Sequence, residues 1–210
     1  MHKDPPVKVN PYEKAVAHLQ KDKKLGRIIK QVGNCQIRVI ENKFEALVDG
    51  IITQQVSDAA GKAIASRFRD LFGGNFPRPH QVLEKKIHQI KKAGLSRMKA
   101  EYIYNIAEIV DSKKIDFEYL NEQDDEQIIS ELVKIRGIGR WTAEMFLIFG
   151  MGRQDILPLG DLGLRNGIAI LFDIEKPTDV QITKIASNWR PYRTIATWYI
   201  WKGVKNFKNV

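Results

Sequence analysis

A chain of 210 residues with 43% hydrophobic and 28% charged residues can bury a substantial core, as one domain or two closely packed ones. The 34 basic against 25 acidic residues give a formal charge of +9, a balance that favours a polyanionic partner. The single cysteine, Cys35, excludes an internal disulfide framework and suits a reducing interior. The opening MHKDPPVKVNPYEKAV has no apolar signal region, and the longest apolar run, MFLIFGM, is too short to span a bilayer, so an intracellular protein with no membrane partner is expected.

Apolar periodicity along the chain is mostly helical. Residues 11–32 suit one or two helices with a lysine-rich exposed face. The run QIRVIE (36–41) is the most strand-like segment, and it is short. A long helix is predicted over 44–72, stopped by Gly73-Gly74. Helices near 79–92, 97–112 and 123–135 follow, the last capped by Asp124 or Asp125. Further helices are predicted near 141–150, 161–172, 178–188 and 191–203, which makes the fold class all-α.

The most informative stretch is IRGIGRWTA (135–143), with Asp161 downstream in LPLGDLGLR. A helical apolar pattern (Ile128, Ile129, Leu132, Ile135) leads into Gly137-Ile138-Gly139, and a nearly all-apolar one (Trp141 to Phe149) leaves it. So short a glycine turn makes a tight helical hairpin, because only glycine takes positive φ without strain. The backbone N–H groups at the start of the second helix then suit a phosphate oxygen. Taken alone, a Gly-x-Gly of this kind reads more readily as a plain helix–helix turn.

The string LVKIRGIGRWTAEM resembles the helix-hairpin-helix signature of the DNA glycosylases that combine a hairpin, a Gly/Pro-rich loop and a catalytic aspartate. Asp161 lies 22 positions after Gly139, about where that family places its aspartate. IITQQVSDAAGKAI (51–64), AGLSRMKAEYI (93–103) and WRPYRTIATWYIW (189–201) look like further family segments, the last like the signature of the 3-methyladenine DNA glycosylase II subgroup. The resemblance implies two helical subdomains with the active site in the cleft between them. One comprises 1–44 packed with 151–210; the other is 45–150, with the hairpin at about 125–150. It also implies double-stranded DNA with damaged bases as the partner, a monomer, and a site of action in the cytoplasm or nucleoid.

Several residues acquire roles by that resemblance. Asp161 is the implied catalytic carboxylate; read by itself it is an N-cap for the next helix, and the two roles are compatible. A carboxylate beside a sugar that is losing its base can stabilise the oxocarbenium charge or activate water. An alkylated purine is cationic and leaves readily, so one carboxylate is chemically sufficient; Asp155 and Glu144 have weaker claims. Trp141 stands where strand-cutting relatives carry a Schiff-base lysine, which implies a monofunctional enzyme with water as nucleophile. Trp141 and Trp201 match base-pocket aromatics, whose attraction for a cationic base is worth roughly 0.5–2 kcal/mol. Met145 joins that pocket where some relatives have tyrosine. Trp189 and Trp198 read as core.

Gly137, Gly139 and Thr142 are the implied hairpin contacts to DNA. Gln55 matches the glutamine that fills the gap left by an extruded base, with Gln54 as the alternative, and Leu95 matches a wedge position that also reads as core, with Met98 behind it. The basic residues Lys85, Lys86, Lys91, Lys92, Arg97 and Lys99 read either as a solvated face or as phosphate contacts. The chemistry requires no cofactor. A monovalent cation on the backbone carbonyls of Val133, Ile135 and Ile138 is implied by the family, whereas four-cysteine iron–sulfur binding is impossible with Cys35 alone. The leading expectation is a glycosylase that removes alkylated purines such as 3-methyladenine and 7-methylguanine in base excision repair. The alternatives are the same fold acting on deaminated or mismatched bases, and a non-catalytic helix-hairpin-helix module that only clamps DNA.

Overall fold

The computed structural model describes residues 11–207, and among them there is no β-strand. No helix among the described residues is long and apolar enough to cross a membrane. Two compact units are formed. One joins the chain up to Arg38 with the chain from Arg153 onward; the other is Val39–Gly152. The first boundary therefore precedes residue 44, because the Ile40 N–H donates to the Phe149 carbonyl at 2.7 Å and the Lys43 ammonium to that of Gly150. The strand-like run 36–41 is irregular: its one cross-chain backbone bond is too little for a ladder.

The first unit is built on α13 (Arg193–Phe207), which packs against α2 (Lys23–Val32) and α11 (Leu162–Phe172). Every residue from Thr194 to Ile200 is buried, as expected of a helix that is apolar on all sides. By contrast, α2 is strongly amphipathic. Leu25, Ile28 and Ile29 face inward while Lys23, Lys24, Arg27 and Lys30 are exposed. Gly203 permits the close crossing, since a Cβ there would lie 2.6 Å from the Ile28 side chain. Asp22 caps α2 through the Lys24 and Leu25 N–H groups at 2.9 and 3.0 Å, and its second oxygen accepts the Trp189 indole N–H at 3.0 Å. Trp189 is thus core, as its sequence suggested, and so is Trp198. Two further helices, α1 (Glu13–Leu19) and α12 (Asp179–Ala186), complete this unit.

In the second unit the predicted long helix over 44–72 is two helices, α3 (Lys43–Ile52) and α4 (Asp58–Asp70). Apolar periodicity runs through the break, but Gln55 takes φ of 53° and Ser57 caps α4 by accepting the Ala60 N–H at 3.3 Å. The helix predicted near 79–92 is likewise α5 (Pro79–Leu83), α6 (Ile87–Ile90) and a 3-10 turn at Lys91–Ala93. Next come α7 (Arg97–Asp111), the short and unforeseen α8 (Phe117–Asn121), and α9 (Asp125–Leu132). Asp124 caps α9 in a reciprocal box with Gln127. Finally α10 (Arg140–Met145) runs on as a π-helical turn, Phe146–Gly150. At the centre α3 packs on α7 and α10, with Leu47, Val48 and Ile51 fully buried.

Cys35 is buried in the first unit, and burial pushes its thiol up to about 11 from an ordinary 9.0. Tyr199 is pushed up to about 12, by burial first and by the nearby thiol second, while its hydroxyl donates to the Gly33 carbonyl at 2.8 Å. Native protein at pH 8 should therefore react with iodoacetamide about a hundredfold more slowly than unfolded protein, the thiolate being that much scarcer. Mass spectrometry of alkylated samples checks this, and rapid labelling of the native state contradicts it.

Candidate active site

The loop into α11 presents Asp161 at its N-cap with extended backbone, φ −79° and ψ 120°. Two bonds to Arg165 steady that loop: its guanidinium donates to the Leu159 carbonyl at 2.9 Å and to that of Pro177 at 2.7 Å. Oδ1 of Asp161 accepts the Leu164 N–H at 2.7 Å, which is the capping bond. The same oxygen accepts the Trp201 indole N–H, also at 2.7 Å. The carboxylate is therefore oriented from two elements at once, α11 and α13.

Gly163, which nothing in the sequence motif singles out, makes this pairing possible. A Cβ there would stand 2.9 Å from Trp201 Cδ1 and 3.1 Å from Asp161 Oδ1, so a side chain would press directly on the bond. The available signal was a glycine in the first turn of a helix that has a carboxylate cap. Trp201 also acquires a second role, since its N–H is spent on Asp161 in addition to whatever its ring faces do.

The other two candidate carboxylates are committed elsewhere. Asp155 accepts Arg193 Nε at 2.7 Å and Nη2 at 3.0 Å, and also Arg190 Nη1 at 3.1 Å, which pins the start of α13. Glu144 is buried and paired with Arg140 Nε at 3.1 Å.

The hairpin and its surroundings lie in the second unit. Gly137 has φ of +104°, and a Cβ there would fall 2.3 Å from the Tyr102 ring. Both the backbone conformation and the packing demand glycine. Gly139 differs from expectation: its φ is −90° and its ψ 173°, ordinary extended backbone, and nothing lies within 4 Å of its would-be Cβ. It is exposed and serves as N-cap of α10, so its small size leaves the helix start open rather than relieving strain. Arg140 ties the two hairpin helices together, donating Nη1 to Glu126 Oε2 at 2.9 Å. That hydrogen bond holds the Glu126 carboxyl below its ordinary range, although both side chains are well exposed and such pairs contribute about 1 kcal/mol or less.

Thr142 and Leu95, implied as DNA contacts, are only 2% and 5% exposed. They are interior residues here, and Thr142 packs against Gly50 of α3. Thr142 Oγ1 also accepts Gln54 Nε2 at 2.9 Å, and the same amide donates to the Gly137 carbonyl at 3.1 Å. Gln54 is thus an internal tie, and of the two glutamines Gln55 is the exposed one. Met98 is 57% exposed at the start of α7. Trp141 is half-buried on α10, with buried Met145 one turn further along the same face.

Part of the basic run is occupied internally. Lys85 sits 4.9 Å from the Phe72 ring centroid and Lys99 bonds two carbonyls, whereas Arg97 pairs with Glu101 at 2.8 Å while its side chain stays 80% exposed. Lys86, Lys91 and Lys92 are exposed.

A two-unit helical fold with a glycine hairpin and an aspartate-capped helix is shared with base excision DNA repair proteins. Residues 48–191 match the family model described as HhH-GPD superfamily base excision DNA repair protein, and the chain belongs to that superfamily. It is 36% identical to DNA-3-methyladenine glycosylase 1 of Schizosaccharomyces pombe, covering 91% of this chain and 87% of that protein. It is 33% identical to the alkylbase DNA glycosidase-like protein mag2 of the same yeast, covering 91% and 93%. A solved S. pombe 3-methyladenine DNA glycosylase in complex with abasic DNA superimposes with a TM-score of 0.84 at 36% identity, covering 91% of this chain and 97% of that one.

The two hairpin glycines should respond differently to alanine. Gly137→Ala should cost about 1–3 kcal/mol through strain and the Tyr102 clash. Gly139→Ala should change stability by no more than about 0.5 kcal/mol. Urea melts of the two variants check this, and equal midpoints would contradict the packing described.

Proposed function

We propose that this protein is a monofunctional DNA glycosylase that excises alkylated purines, of the 3-methyladenine and 7-methylguanine type, from duplex DNA in base excision repair. It acts as an intracellular monomer, in the cytoplasm or nucleoid. The observation that carries the reading is Asp161, capped by the Leu164 N–H and bonded by the Trp201 indole within a chain of this superfamily. The names of the two yeast relatives support alkylated bases as the substrate class.

The reaction breaks the bond between C1′ of the sugar and the purine nitrogen. Its electron pair passes to the departing base and neutralises the base's positive charge. The sugar becomes oxocarbenium-like, and water adds at C1′ and loses a proton, leaving an abasic site and free base. Asp161 supplies negative charge to the cationic sugar or takes the proton of the incoming water. Because Oδ1 already receives two N–H donors, the carboxylate plane is set before substrate arrives, which lowers the reorganisation the step requires. Trp141, with Met145 beneath it, offers an indole face to a cationic base, an attraction of about 0.5–2 kcal/mol. Such a pocket reads charge more than hydrogen-bonding edges and suits several alkylated purines.

Gly139 leaves the start of α10 open, so a phosphate oxygen can approach the first-turn N–H groups, as in other anion-binding helix starts. At the other side of the turn, the Val133, Ile135 and Ile138 carbonyls are the oxygens that would hold a monovalent cation. Hard oxygen donors at the negative end of α9 suit such an ion, which would add positive charge near a bound phosphate. Gln55 is the exposed side chain for the space vacated by the extruded base.

Asp161→Asn should lower single-turnover excision of 7-methylguanine by at least about a hundredfold while preserving duplex affinity. Trp201→Phe, which keeps a ring and removes the N–H, should fall between that variant and the parent. Near-normal excision by Asp161→Asn would overturn the assignment. Product DNA should break only after alkali or heat, and borohydride should trap no covalent complex, since Trp141 cannot form a Schiff base. A trapped adduct on denaturing gels would refute the monofunctional reading.

A further inference from the structure

The break between α3 and α4 is held more firmly than a surface turn requires. Helix α3 ends at Ile52, where the last carbonyls lack intrahelical partners. Lys99, in the first turn of α7, reaches across and donates its ammonium to the Ile52 carbonyl at 2.9 Å and to the Gln54 carbonyl at 2.6 Å. The ammonium is partly withdrawn from water, and that desolvation lowers its pKa. Placing a charge there is costly when neutral donors could cover two carbonyls. From the same Gln54 residue the side-chain amide extends to the Gly137 carbonyl and to Thr142 Oγ1. A continuous hydrogen-bonded path therefore runs from the end of α3, through Lys99 and Gln54, into the hairpin turn.

Gln55 follows immediately, exposed and with φ of +53°. A non-glycine residue in this left-handed region carries about 1 kcal/mol or more of strain and persists only where its surroundings enforce it. The residue before it is the one that Lys99 and the hairpin grip.

We propose that Lys99, acting through Gln54, is a positioning residue that couples the hairpin to the Gln55 turn, so that the grip on the DNA backbone and the side chain entering the vacated base site move as one rigid piece. The inference rests on the proposed gap-filling by Gln55. Base extrusion costs a few kcal/mol of stacking and pairing, and a side chain on a yielding turn cannot oppose its reversal. Lys99 itself touches no substrate. Its effect should be confined to duplex DNA, because a single strand leaves no paired stack for the base to re-enter.

The test compares single-turnover excision of 7-methylguanine from a duplex and from the same oligonucleotide single-stranded. The ratio of the two rates should fall about tenfold or more in Gln55→Ala and in Lys99→Met, since sub-ångström misplacement of a positioning group costs rate steeply. Lys99→Arg, which keeps a cation able to span two carbonyls, should restore most of the ratio. Gln54→Met, which leaves Lys99 intact, should lower it by cutting the link on the hairpin side. The Gln55→Ala, Lys99→Met double variant should be no worse than the more affected single variant, as for residues acting in one chain of command.

Equal loss on both substrates in Lys99→Met and Gln54→Met alike would mean that the residues serve only folding, and the proposal fails. An unchanged ratio in Lys99→Met, with a lowered one in Gln55→Ala, overturns the coupling and leaves the role of Gln55 standing. An unchanged ratio in Gln55→Ala removes the gap-filling reading, and the coupling falls with it. The Asp161 assignment is independent of all three results.

Discussion

One oxygen of Asp161 receives two N–H donors from two different helices, and much of the first unit is arranged to permit this. The Leu164 bond is local and comes with any good N-cap. The Trp201 bond is not local: it needs α13 at a fixed height and rotation against α11. Asp155 and the two arginines set the start of α13, and Gly203 lets its far end approach α2. Gly163 clears the space in which indole and carboxylate meet. A carboxylate held only by its own helix could still rotate about its side-chain bonds. Held from two helices, its position becomes a property of how the unit packs.

The second unit solves a different problem, that of presenting backbone. Gly137 is forced by Tyr102 and by its own positive φ, whereas Gly139 is forced by neither. The two glycines of one motif thus obey different constraints, internal packing in one case and an open helix start in the other. Buried Thr142 and half-buried Gln54 brace the turn from within. Residues of this kind hold the shape of the turn from inside.

Charge follows the same division. Part of the lysine and arginine run over 85–99 is taken up by an aromatic ring and backbone carbonyls. The exposed cations of α2 form the wet face of an amphipathic helix. The net charge of +9 still bears on a polyanionic partner, but no stretch of basic sequence by itself says which cations are available to it.

The sequence by itself determined the helical class, the hairpin, the lone cysteine, Trp141 in place of a lysine, and Asp161 as cap. Each depends on local chemistry: periodicity, capping preference, or the identity of one reactive group. It misled or left a choice open where local chemistry is ambiguous. Apolar spacing continued through residues 53–57, so the helix break there was invisible until Gln55 was seen in the left-handed region. Leu95 and Thr142 carried motif spacing that is the same for a buried as for an exposed side chain. Only the tertiary structure showed Gln54 tied to the hairpin and Gln55 exposed, gave Trp201 its bond to Asp161, set Gly163 against both, and brought Lys99 to the end of α3. Those outcomes depend on contacts between residues about 40 or more positions apart in the chain, which are set by helix packing and leave no periodic trace in the sequence.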